Sequence, residues 1–229
     1  MYTNTCQLLK TNSSVRRRLG SVAAILAIGL LLVASSAKAI VFDLTSDHCS
    51  DGCGTPPFGT VTLTQAGANV NITVSIAPNN WAITGAADFQ LFKFNGTDVS
   101  LSDISVTQTF SGETLAAQTG AFNGDGTGAF EFGIACTTCG NGNTGISSDV
   151  VFSVANATIA DLTQGNGTLF NGEEIVFVAD IFSNQTGFTG PVDATGPGHN
   201  APDSGSTALL LGLGLFGLWF VRMPLRKKA

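Results

Sequence analysis

The sequence predicts an all-β outer domain over residues 40–186, with the fold of an antiparallel β-sandwich or a jelly-roll-like relative of it. Three observations favour this class. No run in this part of the chain shows sustained helical periodicity, several short runs alternate apolar residues with Thr, Asn and Ser, and Asn-Gly turn sequences separate them. About eight short strands in roughly 150 residues are typical of two packed antiparallel sheets.

The predicted strands follow one another with short joints. The clearest pair is a β-hairpin, in which alternating runs at 61–63 and 70–76 are separated by residues 66–69. The other strand candidates lie at 40–44, 89–94, 104–110, 129–134, 150–154 and 174–182. Their Val, Ile, Leu and Phe side chains are expected to face a core, and their Thr-rich faces are expected to meet water.

The N-terminus has the three parts of an export signal. Residues 16–18 are all arginine, an apolar run follows them, and Ala37 and Ala39 occupy the A-x-A positions that signal peptidase recognises. The apolar run is too short for an ordinary spanning helix, which needs about 20 residues. Residues 1–39 are therefore predicted to be a signal peptide, with Ile40 as the first residue of the mature chain. A retained N-terminal anchor is the alternative.

The C-terminal segment 206–229 predicts one short transmembrane helix with a basic end. Its uncharged apolar run, residues 208–221, is followed by a basic stop formed by Arg222, Arg226, Lys227 and Lys228. The run would span about 21 Å of a hydrocarbon core of about 30 Å, so flanking residues must help it to cross. The basic end is expected to stay in the cytoplasm, which places the outer domain outside. A buried core helix is disfavoured because the run is apolar on all sides.

Residues 187–205, between the outer domain and the tail, contain glycine and proline at short intervals and show no strand pattern. This composition is typical of a flexible linker. The predicted organisation is therefore a signal peptide at 1–39, the outer domain at 40–186, a linker with a motif at 187–205, and the transmembrane tail at 206–229.

A specific motif stands at the end of the predicted linker. The residues directly before the apolar run are Ala201, Pro202, Asp203, Ser204, Gly205, Ser206 and Thr207. Together with the short apolar run and the basic end, they resemble the PEP-CTERM class of sorting signals, in the variant whose motif is Val-Pro-Asp-Ser-Gly. Ala201 replaces the Val of that motif. The resemblance implies recognition by exosortase, a membrane-embedded cysteine peptidase, through Pro202, Asp203, Ser204 and Gly205. A plain tail anchor is the alternative.

Parts of the outer domain also resemble the ectodomains of a group of uncharacterised PEP-CTERM proteins. The similar stretches are residues 47–61, 128–134 and 136–140. This resemblance implies a shared architecture, and it implies no particular activity.

The charged residues are distributed very unevenly. Of the ten Lys and Arg residues, only Lys93 lies in residues 40–202, which hold 15 of the 16 acidic residues and so have a net charge of −14. Such a domain repels nucleic acid and anionic lipid, and no nucleic-acid partner is predicted. The acidity favours solubility outside the cell. Divalent-cation binding and life in a salty medium are the alternatives.

Four cysteines remain when Cys6 is removed with the signal peptide, and they form two close pairs, Cys49 with Cys53 and Cys136 with Cys139. Because an exported chain meets an oxidising compartment, two disulfides are predicted, and the spacing leaves their connectivity open. A zinc site that also uses His48 is disfavoured because the Cys-x₃-Cys spacing is unusual for zinc. A Cys-x-x-Cys redox centre is disfavoured because no helix begins there.

No catalytic residue, cofactor or metal ligand is predicted. Asn123, Asp125 and Thr127 resemble the start of a calcium loop, but Ile134 stands where the bidentate Glu is needed, so a turn between strands is favoured. The sequence contains no G-x-S-x-G nucleophile motif. Carboxylate pairs for glycoside hydrolysis stay open because the distances between the acidic residues are unknown.

The combined features predict a non-enzymatic protein of the envelope or extracellular matrix. It would begin as a membrane-anchored precursor and finish on the outer surface or in the matrix of a Gram-negative-type bacterium. The expected partners are signal peptidase, exosortase, the membrane through the C-terminal helix, and extracellular polysaccharide as a candidate. The alternatives are a carbohydrate-binding module, with Trp81 and phenylalanines as stacking faces, and a secreted glycan-active enzyme.

Overall fold

The structure is a computed structural model that describes residues 38–76, 81–84, 88–107, 109–110, 113–136, 138–139 and 146–201. The predicted signal peptide up to Ala37, the motif residues 202–205, the apolar run and the basic stop lie outside the described residues. Among the residues that the structure does describe, no helix is both long enough and apolar enough to cross a membrane.

Two antiparallel sheets make up most of the described chain. The strands of the first sheet are β1 (Ala39–Leu44), β3 (Gly59–Ala66), β4 (Asn69–Ile76), β7 (Ile104–Val106), β11 (Val150–Val154) and β15 (His199–Asn200). Their order across the sheet is β15-β1-β3-β4-β11-β7, and each pairing is antiparallel. The predicted β-rich antiparallel class is therefore correct for the described residues.

The second sheet is larger. Its strands are β2 (Ser46–Asp47), β6 (Gln90–Phe94), β8 (Thr109–Phe110), β9 (Glu113–Gly124), β10 (Gly128–Cys136), β13 (Glu173–Ser183) and β14 (Thr189–Thr195). They are ordered β2-β14-β13-β6-β10-β9-β8, and β13 also pairs with the short strands β5 (Trp81–Ile83) and β12 (Leu169–Phe170). Within the described residues, the helical elements are a 3₁₀ turn at Leu101–Asp103 and one α-helical turn, α1, at Ile159–Leu162.

The hairpin predicted in the first sheet is present. β3 and β4 pair over their full length, from Gly59 opposite Ile76 to Ala66 opposite Asn69, around a two-residue turn that begins at Gly67. Gly67 has a φ of 64°, a conformation that glycine adopts without steric cost, as tight hairpin turns require. The apolar residues of both strands alternate with polar ones and face inward, and this alternation fixes the register.

Phenylalanine rings join the two sheets face to face. Phe42 of β1 meets Phe177 of β13 edge-on with ring centroids 5.0 Å apart, and Phe152 of β11 lies 5.3 Å from Phe94 of β6. Phe92 also contacts Phe152, at 5.9 Å. Each contact links one sheet to the other, so the core lies between the two sheets. The assignment to the sandwich or jelly-roll-like class stays a prediction.

The predicted linker boundary at residue 186 is wrong for the described part of that segment. β14 pairs with β13 along nearly its whole length, and β15 pairs with β1, so the folded domain continues to Ala201. Val192 and Ala194 are buried in the core. The sequence did not predict β14 as a strand because glycine and proline interrupt its alternating pattern. Pro191 lacks an N–H donor, but its carbonyl still accepts a hydrogen bond from the His48 backbone N–H at 3.0 Å.

Three register shifts interrupt the strand pairing of the second sheet. The pairing of β10 shifts against β9 between Phe130 and Phe132 and against β6 between Ile134 and Ala135, and the pairing of β13 with β14 shifts between Ile175 and Phe177. Phe132 and Phe177 belong to the main core, whereas Phe130 and Ile175 pack with Val178 in a second, smaller apolar cluster. In β13 the shift adds one residue to the strand, which reverses its alternation and explains why Ile175 and Phe177 face different clusters.

Candidate functional site

Lys93, the single lysine or arginine of the predicted mature domain, is buried in the middle of the second sheet. Its side chain is 1 % exposed, and every residue of β6 is buried. Its Nζ lies 2.5 Å from Oδ2 of Asp180 and 3.2 Å from Oδ2 of Asp88. Burying an ammonium group is costly unless carboxylates or other hydrogen-bond acceptors replace its hydration shell. At Lys93, two carboxylates do so.

Strand pairing and a local turn position these three side chains, which we call the buried triad. Lys93 on β6 stands opposite Val178 on β13, so Asp180, two residues along β13, projects from the same face of the sheet. Asp88 lies two residues before β6, and its side chain is 30 % exposed although its Oδ2 is buried. Its Oδ1 accepts a hydrogen bond from the Gln90 backbone N–H at 2.9 Å, which turns Oδ2 toward Lys93.

The electrostatics of the buried triad are dominated by burial. Burial raises the pKa of Asp180 to about 6, because the ionised carboxylate loses its hydration. The Lys93 ammonium opposes this rise, and the carboxylates of Asp88 and Asp125 reinforce it. The carboxylates of Asp88 and Asp180 thus share a single buried cation, and the neutral form of Asp180 persists to higher pH than in an ordinary aspartate.

A small cavity of about 140 Å³ lies against the buried triad. Asn123, near the end of β9, and Asp125, in the turn between β9 and β10, complete its polar lining together with Thr189. These two residues belong to the incomplete calcium loop of the sequence. The segment forms a turn, as predicted, in which the Thr127 N–H donates to the Gly124 carbonyl at 2.9 Å. Lys93 supplies the positive charge beside the carboxylates that line this cavity.

The four cysteines form two local disulfides, Cys49–Cys53 and Cys136–Cys139. All four are buried, and Cys53 and Cys136 have no exposed surface. The two pairs are thus joined within themselves, which selects one of the three connectivities that the sequence left open. A carboxylate of Glu113 lies near the second pair, and this is the one group of three potential metal ligands among the described residues. As a disulfide, this pair offers no thiolate to a metal.

His48 does not join the cysteines. Its Nε2 lies 2.6 Å from Oδ2 of Asp193, and its ring packs edge-on against Phe170 at 5.6 Å. Asp193 has no exposed surface, and burial raises its pKa although the contact with His48 opposes the rise. Asp193 of β14 pairs with Val178 of β13. Lys93 of β6 pairs with the same valine from the other side of β13.

Sequence reasoning missed both buried charged pairs. Lys93 entered only the sum of charges over residues 40–202. No role was assigned to Asp88, Asp180 or Asp193. The available signal was the position of Lys93 between Phe92 and Phe94 in a predicted strand, where both faces are apolar.

One predicted processing residue lies within the described chain. Ala39, at the predicted signal cleavage site, is the first residue of β1, and its carbonyl accepts a hydrogen bond from the Ala201 backbone N–H at 3.0 Å. Ala37, Pro202, Asp203, Ser204 and Gly205 lie outside the described residues, as does the basic stop formed by Arg222, Arg226, Lys227 and Lys228. The folded domain therefore extends to the residue directly before the motif.

Comparison with known proteins identifies only the C-terminal segment. Residues 202–222 match the VPDSG-CTERM motif family. No curated protein and no solved structure matches the chain. The match covers the predicted recognition residues and the apolar run up to Arg222, and it supports a sorting signal of the PEP-CTERM type on an exported, surface-sorted protein.

Proposed function

We propose that this chain is an exported envelope or matrix protein that exosortase processes at its C-terminus. The observation that supports the proposal is the motif match over residues 202–222, in a chain whose described fold reaches Ala201. In this proposal Pro202, Asp203, Ser204 and Gly205 are recognised by the peptidase. The apolar run and the basic stop hold the precursor in the membrane until it is cut.

The proposed role of the outer domain is structural and not catalytic. Its net charge of −14 favours a hydrated, soluble surface and opposes adhesion to anionic lipid. Two disulfides suit an oxidising compartment outside the cytoplasm. The proposed final location is the outer surface or extracellular matrix of a Gram-negative-type bacterium.

The test is a double substitution, Pro202→Ala with Asp203→Ala, in the native host. Neither residue lies in the apolar run, so export and membrane insertion should be unchanged, whereas cleavage should stop because the recognition residues are gone. Intact mass should show that released wild-type protein lacks the residues after Gly205, and that the variant keeps them. Pro197→Ala is the matched control, because it changes a nearby proline outside the motif and should leave processing intact.

The proposal fails if mature wild-type protein in the native host still contains residues 209–229. The tail would then be a permanent anchor, and the motif would have no role in cleavage.

A carbohydrate-binding role is the second candidate, and one feature favours it. A groove of about 380 Å³ runs beside β1 and the end of β14, with Phe42, Thr163, Glu174 and Pro197 among its lining residues. Such a mix of apolar and polar groups can hold a sugar ring. A glycan array would test it, and Glu174→Gln should weaken any binding found there. A polysaccharide-release assay would separate a glycan-active enzyme from both.

A further inference from the structure

We propose that Lys93 and Asp180 join in an intramolecular amide bond, an isopeptide crosslink between β6 and β13, with Asp88 transferring the protons. This goes beyond sorting, and it does not depend on where the protein is finally located. It assigns a covalent function to the three side chains of the buried triad.

The geometry brings the reacting groups together. Nζ of Lys93 lies 2.5 Å from Oδ2 of Asp180, the oxygen bonded to the carboxyl carbon that the amine must reach. Two reacting groups that a fold holds in contact react far faster than the same groups free in solution. Both side chains are held by neighbouring strands of the sheet, and both are buried.

Burial also favours the form of Asp180 that can react. Amide formation needs a neutral amine and a neutral carboxylic acid, so one proton must pass from the Lys93 ammonium to the Asp180 carboxylate before the bond forms. Burial raises the pKa of Asp180, and the acid form is therefore easier to reach in the interior than in water.

Asp88 is placed to move the remaining protons. Its Oδ2 is buried, lies 3.2 Å from Nζ, and accepts no aligned hydrogen bond from the described residues. Its Oδ1 is held by the Gln90 N–H, so the carboxylate is oriented by the backbone. A carboxylate in contact with the nucleophile is a suitable general base and then a general acid.

The chemical step balances without any added reagent. The neutral amine of Lys93 attacks the carboxyl carbon of protonated Asp180, and Asp88 takes one proton from Nζ as the new N–C bond forms. Asp88 then returns this proton to the departing hydroxyl, the C–O bond breaks, and one water molecule leaves. No oxidant, nucleotide or metal is consumed, which suits a protein outside the cytoplasm.

The bond would connect two central strands of the second sheet across 87 residues of sequence. The two disulfides close loops of only three and four residues, so they cannot hold distant parts of the fold together. A crosslink between β6 and β13 would provide the long-range constraint that they do not.

Trypsin and intact mass test the proposal on the exported protein. Lys93 is the one tryptic site between Lys38 and Arg222. In the denatured, reduced wild-type protein, we expect this segment to remain uncut and to be lighter than its sequence by one water. Asp180→Ala should restore the sequence mass and give two fragments, and Asp88→Asn should do the same. Asp125→Asn, which removes a nearby carboxylate that does not contact Nζ, should keep the crosslink.

Wild-type protein of full sequence mass that trypsin cuts at Lys93 would overturn the proposal, whatever the variants do. A fragment spectrum that joins Lys93 to Asp88 would overturn the choice of Asp180. Complete crosslinking in Asp88→Asn would overturn the role of Asp88.

Discussion

The Ala201 backbone N–H donates to the Ala39 carbonyl oxygen at 3.0 Å, so the two ends of the folded domain lie side by side. Next to this bond, β15 pairs with β1 through Ile40 opposite Asn200. The predicted signal cleavage site therefore lies on the same ladder as Ala201, the last described residue, at one edge of the first sheet.

The first prediction concerns this edge. Cleavage after Ala39 removes the acceptor for the Ala201 N–H, and it also removes the Lys38 carbonyl, which accepts from the Gln65 N–H at 2.9 Å. N-terminal sequencing of envelope material should begin at Ile40. Hydrogen exchange at Ala201 should be faster in this mature chain than in one that keeps Lys38 and Ala39. A mature protein that begins at Met1 would contradict the export prediction.

The second prediction concerns the junction of the two sheets. Phe94 is 1 % exposed and packs against Phe132 and Phe152, so Phe94→Ala should leave a cavity where the sheets meet. The expected loss is about 3–5 kcal/mol of unfolding free energy. Leu169→Ala is the control because Leu169 is 63 % exposed, and its cost should stay within about 0.5 kcal/mol. Urea unfolding with intact disulfides measures both. Equal losses would mean that the described core is wrong.

The third prediction concerns pH and Asp193. Because burial raises its pKa in the folded protein, Asp193 holds its proton more tightly when folded than when unfolded. Its contribution to stability is therefore full below the ordinary aspartate pKa of about 4, and it is lost as pH rises through the raised value.

The melting temperature of wild type, relative to that of Asp193→Asn, should therefore fall as pH increases from about 4 toward neutrality. Asp43→Asn is the control, since Asp43 is about half exposed at the edge of the first sheet. Parallel pH profiles for wild type and Asp193→Asn would contradict the assigned shift.

The fourth prediction concerns the disulfides. Mass before and after reduction should differ by about four hydrogens, as two bonds in an oxidising compartment require. Because each bond closes a loop of three or four residues, the chain-entropy account expects no more than about 2 kcal/mol of stability from each. Peptide mapping without reduction should recover Cys49 with Cys53, and Cys136 with Cys139. Four thiols with one bound zinc per chain would refute the assignment.

Strong alternation made part of the fold predictable. β11 was predicted with its observed bounds, and the hairpin of β3 and β4 was found because Val, Leu and Ile recur at every second position. β9 was missed because its Thr, Ala, Gln and Gly residues are mostly exposed and give no apolar signal. β14 was missed because Gly190 and Pro191 resemble linker composition.

The candidate site was less predictable because it depends on register. Asp88, Lys93 and Asp180 come together only through the pairing of β6 with β13, which joins segments 87 residues apart in sequence. Local patterns report which face a residue occupies, and they do not report which strand lies beside it. The bulge that reverses the alternation of β13 near Ile175 was equally invisible to pattern analysis.

The burial of Lys93 determines which polymers and reagents can bind to or react with the surface of this protein. Between Ile40 and Pro202 there is no other lysine or arginine, so the folded surface offers no permanent positive charge. A polymer rich in uronic acids or sulfate would find no counter-charge there and would be repelled, whereas a neutral or amine-bearing polymer would not. Amine-reactive labels used to survey cell surfaces would mark the folded domain only at its first residue.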